Sequence, residues 1–362
     1  MEKRIRIISG LVLFAFVTMH LINVALGLHS VEMMDRARPL LMGAWTNLAG
    51  TLLLTLSLGA HFALGMLAIY RRTTLRLSPT DTVQVIASLA IVPLLAPHVV
   101  GTAIAARYGV VPSFASLIPY FWIDQPLEGL RQVVLLAVLW IHGCIGVYTW
   151  ARIQLWWARA GAFLYPFAVA IPVLGLLGFV EAGNQVIAEG RPALPPMQLA
   201  LPFEEILAIL KSINWTVFYV YVGLVVLVLV ARQLRLASND GLVRVSFDGG
   251  MAAAGTQGMT LLDIARLNDV PMANLCRGRG RCGTCRVEIA NGGMLPLMEA
   301  EEEKTLARVG APAGTRLSCQ LAPPAGEFKV RRLVPPFLRA RDLHRFDEAH
   351  RLSEHGAAEA AE

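Results

Sequence analysis

Six stretches of this chain are long and apolar enough to cross a lipid bilayer, and no other feature of the sequence narrows its fold as much. A span needs about 20 predominantly apolar residues. Roughly Ile7 to Leu28, Ala44 to Tyr70, Thr82 to Ala106, Gln132 to Ala151, Ala160 to Val180 and Ser212 to Ala231 qualify. A further apolar stretch, YGVVPSFASLIPYFWI from Tyr108, is short and interrupted by Pro112 and Pro119, so it reads as an interfacial or re-entrant segment. The run after MEKRIR lacks a small-x-small cleavage site before the next acidic residue and is expected to stay as the first span. With 55% hydrophobic and 16% charged residues, the chain is too apolar for a wholly soluble protein, yet its charge density is ordinary past Arg232. The expected division is a membrane all-α six-helix bundle over 1–232, a polar linker at 233–240, a soluble α+β domain over 241–335 and a polar tail at 336–362.

Basic residues orient the spans. Lys3, Arg4 and Arg6, then Arg71, Arg72 and Arg76, then Arg152 and Arg159, then Arg232 and Arg235 fall on one side of a six-span chain, the side expected to face the cytoplasm. Glu32, Asp35, Asp124, Glu128, Glu181, Glu204 and Glu205 lie on the opposite side. Both termini and the soluble domain are then cytoplasmic. The formal net charge of +6 is accounted for by this bias and by anionic membrane lipid, with no call for a nucleic acid partner.

Four of the eight histidines sit inside expected spans, one on each of the first four: His20, His61, His98 and His142. Ionisable groups are costly in lipid, so each is a functional candidate. At about 1.5 Å rise per residue, His20 and His98 lie roughly 20–22 Å from the cytoplasmic ends of their helices, and His61 and His142 roughly 14 Å. Two depths with two histidines each is the arrangement needed for two bis-histidine b haems stacked across a membrane. Iron held by two imidazoles has no open position for oxygen, which suits electron transfer. The expected pairs are His20 with His98 and His61 with His142. Gly65, Gly101 and Gly146 follow three of these histidines by three or four positions and leave room for a flat porphyrin. The competing reading is interhelical hydrogen bonding or a proton path. His29 is expected at the membrane interface with no ligand role. Cys144 points to another face of its helix than His142 and reads as a packing residue.

This layout resembles the cytochrome b membrane subunits of the succinate dehydrogenase and fumarate reductase family, whose dihaem members take histidines from four helices at two depths. The resemblance covers roughly the first 232 residues and implies a quinone as redox partner.

The other four of the five cysteines cluster near the C-terminus. After a strand-like LVRVSFDGG and a helix candidate TLLDIARLND, with Thr260 as N-cap and Asp263 as its reciprocal partner, comes NLCRGRGRCGTCRVEI. Cys276, Cys282 and Cys285 are spaced C-x5-C-x2-C, and Cys319 follows in RLSCQL. Four thiolates are what a 2Fe-2S cluster requires, two per iron. Gly278, Gly280 and Gly283 let the loop curl so that backbone N–H groups point at the sulfurs. Zinc is the alternative, although zinc modules usually present two paired knuckles. The pattern suits an iron–sulfur site better than disulfides, which places the soluble domain in a reducing compartment. The arginines at 277, 279 and 281 should favour the reduced, more negative cluster, or else be solvated loop charge. The acidic run EAEEEK reads as the solvated first turn of a helix, with docking of a basic partner as the alternative.

The order of strand, helix and the returning strand GEFKVRRL is that of a β-grasp ferredoxin. The cysteine spacing resembles the adrenodoxin-like pattern over about Leu242 to Leu333, which implies Cys276, Cys282, Cys285 and Cys319 as the cluster ligands. In order and in wording such as CRGRGRCGTC, the whole resembles the N-terminal, redox-sensing part of bacterial membrane-bound class III adenylate cyclases. That resemblance implies a multi-pass protein of the bacterial cell inner membrane.

The tail after Leu333 is expected to be too short for a cyclase domain, and there is no glycine-rich flavin or nicotinamide motif. No catalytic domain is recognised. Two functions follow. In one the chain passes electrons between a cytoplasmic 2Fe-2S cluster and two stacked b haems, linked to quinone or to a cytoplasmic redox partner. In the other it is the redox-sensing input module of an adenylate cyclase-type signalling system, acting through a cytoplasmic signalling partner.

Overall fold

The computed structural model describes residues 1–348 apart from 193, 195–197, 239–240, 292–293 and 344. Asn239 and Asp240 of the expected linker, and the expected tail from 349 onward, lie outside the described residues. The chain divides into two compact units, one of Met1–Leu67, Pro79–Val147 and Ala162–Val228, the other of Ala68–Ser78, Tyr148–Gly161 and the chain from Leu229.

The first unit is helical. The helices are α1 (Glu2–Ala25), α2 (Val31–Thr46), α3 (Leu48–Arg71), α4 (Pro79–Val99), α5 (Phe114–Pro119), α6 (Pro126–Ala151), α7 (Trp157–Glu189) and α8 (Phe203–Ala237), of which α3, α6, α7 and α8 each run at one end into the second unit. Among the described residues six helical runs are long and apolar enough to cross a membrane: Glu2–Leu28, Leu48–Arg71, Pro79–Tyr108, Pro126–Ala151, Arg159–Glu189 and Phe203–Ala237. They overlie the six expected spans and extend past the apolar windows, because flanking polar residues such as Glu204 and Glu205 in the first turn of α8 suit a helix N-terminus. The expected linker does not open as a loop, since α8 runs through Ala237.

Two elements take a form that the apolar windows leave open. The first is α2, which takes Ala44, Trp45 and Thr46 from the expected start of the second span. Ser30 caps it by accepting from the Met33 N–H, and the Asn47 side chain then accepts from the Gly50 N–H at the start of α3. Its charged residues hide its apolar face in the sequence, yet Val31 and Met34 are buried with Val24, Ile118, Ala182 and Val186. The second is the stretch from Tyr108, which becomes the short helix α5 and a π turn at Tyr120–Asp124 and not a seventh span. The Ser113 and Ser116 side chains cap α5 reciprocally, and the Asp35 carboxylate accepts from the Phe114 and Ala115 N–H groups.

Close helix contact is made at small residues, as expected where lipid supplies no hydrophobic drive between helices. A Cβ on Gly178 of α7 would lie 2.3 Å from the Val24 carbonyl oxygen, and one on Gly27 would lie 2.3 Å from that of Gly178. Two ring donors in the bundle find backbone partners: Trp140 Nε1 donates to the Ala168 carbonyl and the Tyr221 hydroxyl to that of Leu89. Pro93 and Pro97 lie in α4 just before His98, and the helix continues beyond Val99 as a π turn, a distortion with a recognised cause in the missing proline N–H groups.

The second unit is built on a five-stranded sheet in the order β2-β1-β5-β3-β4. Its strands are β1 (Leu242–Phe247), β2 (Ala252–Thr256), β3 (Arg286–Asn291), β4 (Thr315–Leu317) and β5 (Gly326–Arg332), with helices α9 (Leu261–Leu267) and α10 (Ala300–Arg308). β1 and β5 pair in parallel and every other pair is antiparallel, the topology of a β-grasp ferredoxin. The period-2 apolar pattern of β1 buries Val243, Val245 and Phe247 against Leu261, Ile264, Leu317, Phe328 and Val330.

Thr260 caps α9 as expected, accepting from the Asp263 N–H. The Asp263 carboxylate is engaged elsewhere, accepting from the Thr73 hydroxyl at 2.7 Å. EAEEEK does begin a helix, α10, but Glu302 within it is not solvated. It is 1% exposed, accepts from Nε and Nη2 of Arg316 and also accepts from the Leu317 N–H at 2.7 Å.

Candidate metal centres

The cysteine loop lies between α9 and β3 and is held from several sides. Leu275 N–H donates to the Thr284 hydroxyl, and Thr305 of α10 donates to the Gly280 carbonyl. Arg277, Gly278, Gly280 and Gly283 all have positive φ. At Gly283 the constraint is double: its φ is +74°, and a Cβ there would sit 3.0 Å from Val309. Cys319 arrives from the other direction, on the turn after β4, two residues past the Arg286↔Leu317 register pair.

The four sulfurs sort into two pairs. The Cys285 and Cys319 sulfurs are 3.2 Å apart. Cys276 and Cys282 form the other pair, with the Cys276 N–H 3.3 Å from the Cys282 sulfur. The Cys282 thiol, by its hydrogen bond, holds Cys276 well below the ordinary thiol value, against burial that pushes it up; backbone N–H groups including that of Arg281 add to the lowering. Cys282 and Cys285 are pushed up, first by their partner sulfurs and then by burial. Further polar groups meet the sulfurs: the Arg281 N–H donates to Cys276 and the Gln320 amide to Cys319 at 3.3 Å, and the Thr284 hydroxyl lies 3.0 Å from the Cys282 sulfur. Among the described residues no group of three or more His, Cys, Asp or Glu is placed to hold one metal ion. A zinc site needs its ligands around a single point; two pairs of thiols suit a core of two irons.

The four span histidines also meet in pairs, on four different helices. The rings of His20 (α1) and His98 (α4) have centroids 6.0 Å apart and planes at 68°. Those of His61 (α3) and His142 (α6) are 6.2 Å apart at 82°. His98 Nδ1 lies 3.0 Å from the Gln132 side-chain oxygen, and His61 Nδ1 lies 3.2 Å from the Arg6 carbonyl and 3.3 Å from the Ser9 hydroxyl. An amide or backbone carbonyl can only accept, so both Nδ1 atoms carry the proton and both Nε2 atoms keep a lone pair. His142 Nε2 lies 3.4 Å from the Gln84 amide nitrogen, and its Nδ1 is buried without a hydrogen bond. His20 stacks on Phe16.

Space accompanies these rings. A Cβ on Gly65 or Gly101 would meet nothing within 4 Å, and one on Gly146 would touch only the Gln84 amide. Gly10, which the sequence did not single out, makes room for His61 itself, since a Cβ there would lie 2.9 Å from the ring. Gln84 and Gln132 were also missed, although a polar amide inside an apolar span is a legible signal. Cys144 is partly buried, with a free thiol.

A family model for the 2Fe-2S iron-sulfur cluster binding domain matches residues 249–324. Over 103 residues, 28% of this chain, the sequence is 35% identical to one component of the Na(+)-translocating NADH-quinone reductase of Pseudomonas paraeruginosa, covering 24% of that protein. The corresponding component in Shewanella denitrificans is 34% identical over 100 residues, 27% of this chain and 24% of its own length. The chain thus spans about a quarter of the length of the curated relatives it matches. No solved structure matches. The C-terminal domain is a 2Fe-2S ferredoxin domain, carried by a chain with six membrane-capable helices.

Proposed function

We propose that this chain is a membrane-bound electron-transfer protein in which Cys276, Cys282, Cys285 and Cys319 hold a 2Fe-2S cluster, and in which the pairs His20/His98 and His61/His142 each hold a b haem. The observation that carries the haem half is the ring separation of 6.0 and 6.2 Å. An imidazole nitrogen sits about 2 Å from a metal it binds, and its ring centre about 1 Å further, so two imidazoles on opposite sides of one iron have centroids about 6 Å apart. Hydrogen bonding through a proton path would instead bring ring nitrogens of the two histidines toward each other, and no such bond joins either pair among the described residues. When bound, bis-imidazole haem and a 2Fe-2S cluster each take up and release single electrons, without an open coordination position.

The protein's part is to orient and shield. The Gln132 amide oxygen and the Arg6 carbonyl hold Nδ1 of His98 and His61 and leave Nε2 of each as the nitrogen that would bind iron, the outer-shell role that ligating histidines generally need. In the ferredoxin domain the Arg281 N–H, the Thr284 hydroxyl and the Gln320 amide stabilise negative charge on the sulfurs, and Arg277, Arg279 and Arg281 bias the same site toward its more negative state. The basic ends of the helices favour the cytoplasm of a bacterial cell for the ferredoxin domain and both termini, with the helices in the inner membrane. The relatives matched by the ferredoxin domain are named as parts of a quinone reductase, which supports quinone as a partner here.

The test is a count of cofactors on the purified chain. Pyridine haemochrome, acid-labile sulfide and EPR of the dithionite-reduced protein should give two haems and one 2Fe-2S cluster. Absence of haem rejects the histidine assignment and leaves the cluster standing. The alternative, a redox-sensing input to adenylate cyclase-type signalling, uses the same residues and is favoured by the CRGRGRCGTC loop. A cyclase encoded beside this gene supports it.

A further inference from the structure

The surface over Cys276 and Cys282 is covered within the second unit by parts of the chain outside the sheet. Cys276 is 1% and Cys282 2% exposed. Packed on them are Leu275, Ile153 from the turn between α6 and α7, and Leu338 and Leu343 from the segment after β5. Each covering piece is fastened. The Arg152 guanidinium donates to the Leu275 carbonyl, one residue before Cys276. The segment after β5 turns at Pro335 and again at Arg339 and ends in an ion pair 2.9 Å long between Asp347 and Arg286, the residue after Cys285. That pair is desolvated, with side chains 1% and 9% exposed, and Phe346 lies beside the same guanidinium at 5.8 Å. Removing one partner of a buried charge pair is strongly destabilising, so this pair tethers the end of the segment to β3 as a strap.

A second anchor holds the neighbouring helix. Arg76 donates to both oxygens of Asp269 and to the Leu267 carbonyl at the end of α9. Thr73 bonds Asp263 near its start. The α3–α4 connection thus grips the helix that precedes the cysteine loop.

We propose that the cysteine-loop face is an internal docking interface whose partner is the chain's own α6–α7 turn, sealed by the strap Pro335–Asp347, and is closed to soluble protein electron carriers. A protein carrier must lay a complementary patch over this loop, and Ile153, Leu338 and Leu343 already fill that place. A small solute needs no such patch. The proposal rests on the cluster-binding domain and not on the haem assignment.

The experiment compares two oxidants on the full-length, dithionite-reduced chain in lipid nanodiscs, with loss of the cluster signal followed by freeze-quench EPR. Ferricyanide is the small probe. Oxidised plastocyanin, an acidic protein suited to the basic loop, is the large one. Leu343→Gln, and separately Ile153→Gln, should speed oxidation by plastocyanin about tenfold or more and change the ferricyanide rate less than about twofold. A wild-type chain oxidised by plastocyanin as fast as the variants overturns the proposal. Should both variants lose the cluster, the milder pair Leu338→Ala and Leu343→Ala is read in the same way. Cluster loss there too overturns the proposal, because the strap is then scaffold for the cluster and not a seal.

Discussion

His61 on α3 and His142 on α6 face each other with ring centroids 6.2 Å apart and planes at 82°, and His20 and His98 repeat the relationship on α1 and α4. Loss should therefore follow pairs. His61→Ala or His142→Ala removes one haem, and His20→Ala or His98→Ala removes the other. Pyridine haemochrome should fall from two haems to one per chain in each single variant. It should reach zero only when one member of each pair is replaced. Single variants that lose both haems contradict the pairing.

Gln132 supports His98 from outside the pair, at 3.0 Å. Gln132→Leu keeps the volume and removes the acceptor, freeing the ring to rotate. Loss of such a partner typically weakens binding about 10- to 100-fold, so this variant should release one haem on dilution into apo-myoglobin faster than wild type. Gln132→Glu, which still accepts, should restore retention.

Cys319→Ser separates the two kinds of centre. It should abolish the rhombic EPR signal of the reduced 2Fe-2S cluster and leave the haem absorption bands at full intensity. Zinc with no acid-labile sulfide in anaerobically purified wild type contradicts the cluster assignment.

Glu302 is a buried carboxylate shared between Arg316 and the Leu317 N–H. Removing one partner of a buried pair costs about 3–5 kcal/mol. Glu302→Ala should lower the urea midpoint for loss of the cluster's visible circular dichroism accordingly, with an unchanged slope. Glu302→Gln should fall between Glu302→Ala and wild type.

Gly178 touches the backbone of α1, where a Cβ would lie 2.3 Å from the Val24 oxygen and 2.8 Å from Ala25 Cα. Gly59 has nothing within 4 Å of the same position. Gly178→Ala should lower the aggregation temperature of the solubilised protein and Gly59→Ala should not. Equal behaviour of the two would show that α1 and α7 separate at little cost.

The sequence carried the strong periodic and spacing signals well. Six apolar runs became six long helices, the histidines meet in the expected pairs, and Thr260 caps α9. It failed where burial depends on a partner distant in the chain. α2 mixes Glu32, Asp35 and Arg36 with Val31 and Met34, and its apolar face shows only once α1, α5 and α7 lie against it. Glu302 sits in a run that reads as solvent-facing, and only Arg316, brought back by β4, makes it an interior residue. Local spacing points Asp263 to its own helix cap, whereas Thr73, far away in sequence, claims the carboxylate. The strap was hidden for the same reason: Leu343 and Asp347 stand in a polar stretch, and their partners Cys276, Cys282 and Arg286 lie on the cysteine loop and β3.

The Cys285–Cys319 contact has a consequence for how the domain matures. These sulfurs are 3.2 Å apart because Arg286 of β3 lies opposite Leu317 of β4. A slip of one residue along that ladder turns every side chain to the other face and carries Cys319 away from Cys285. Under the ligand set proposed above, metal capture would act as proofreading: a newly made chain whose strands have joined out of step would offer an incomplete thiol set, so a loaded centre would certify that the two strands were threaded correctly.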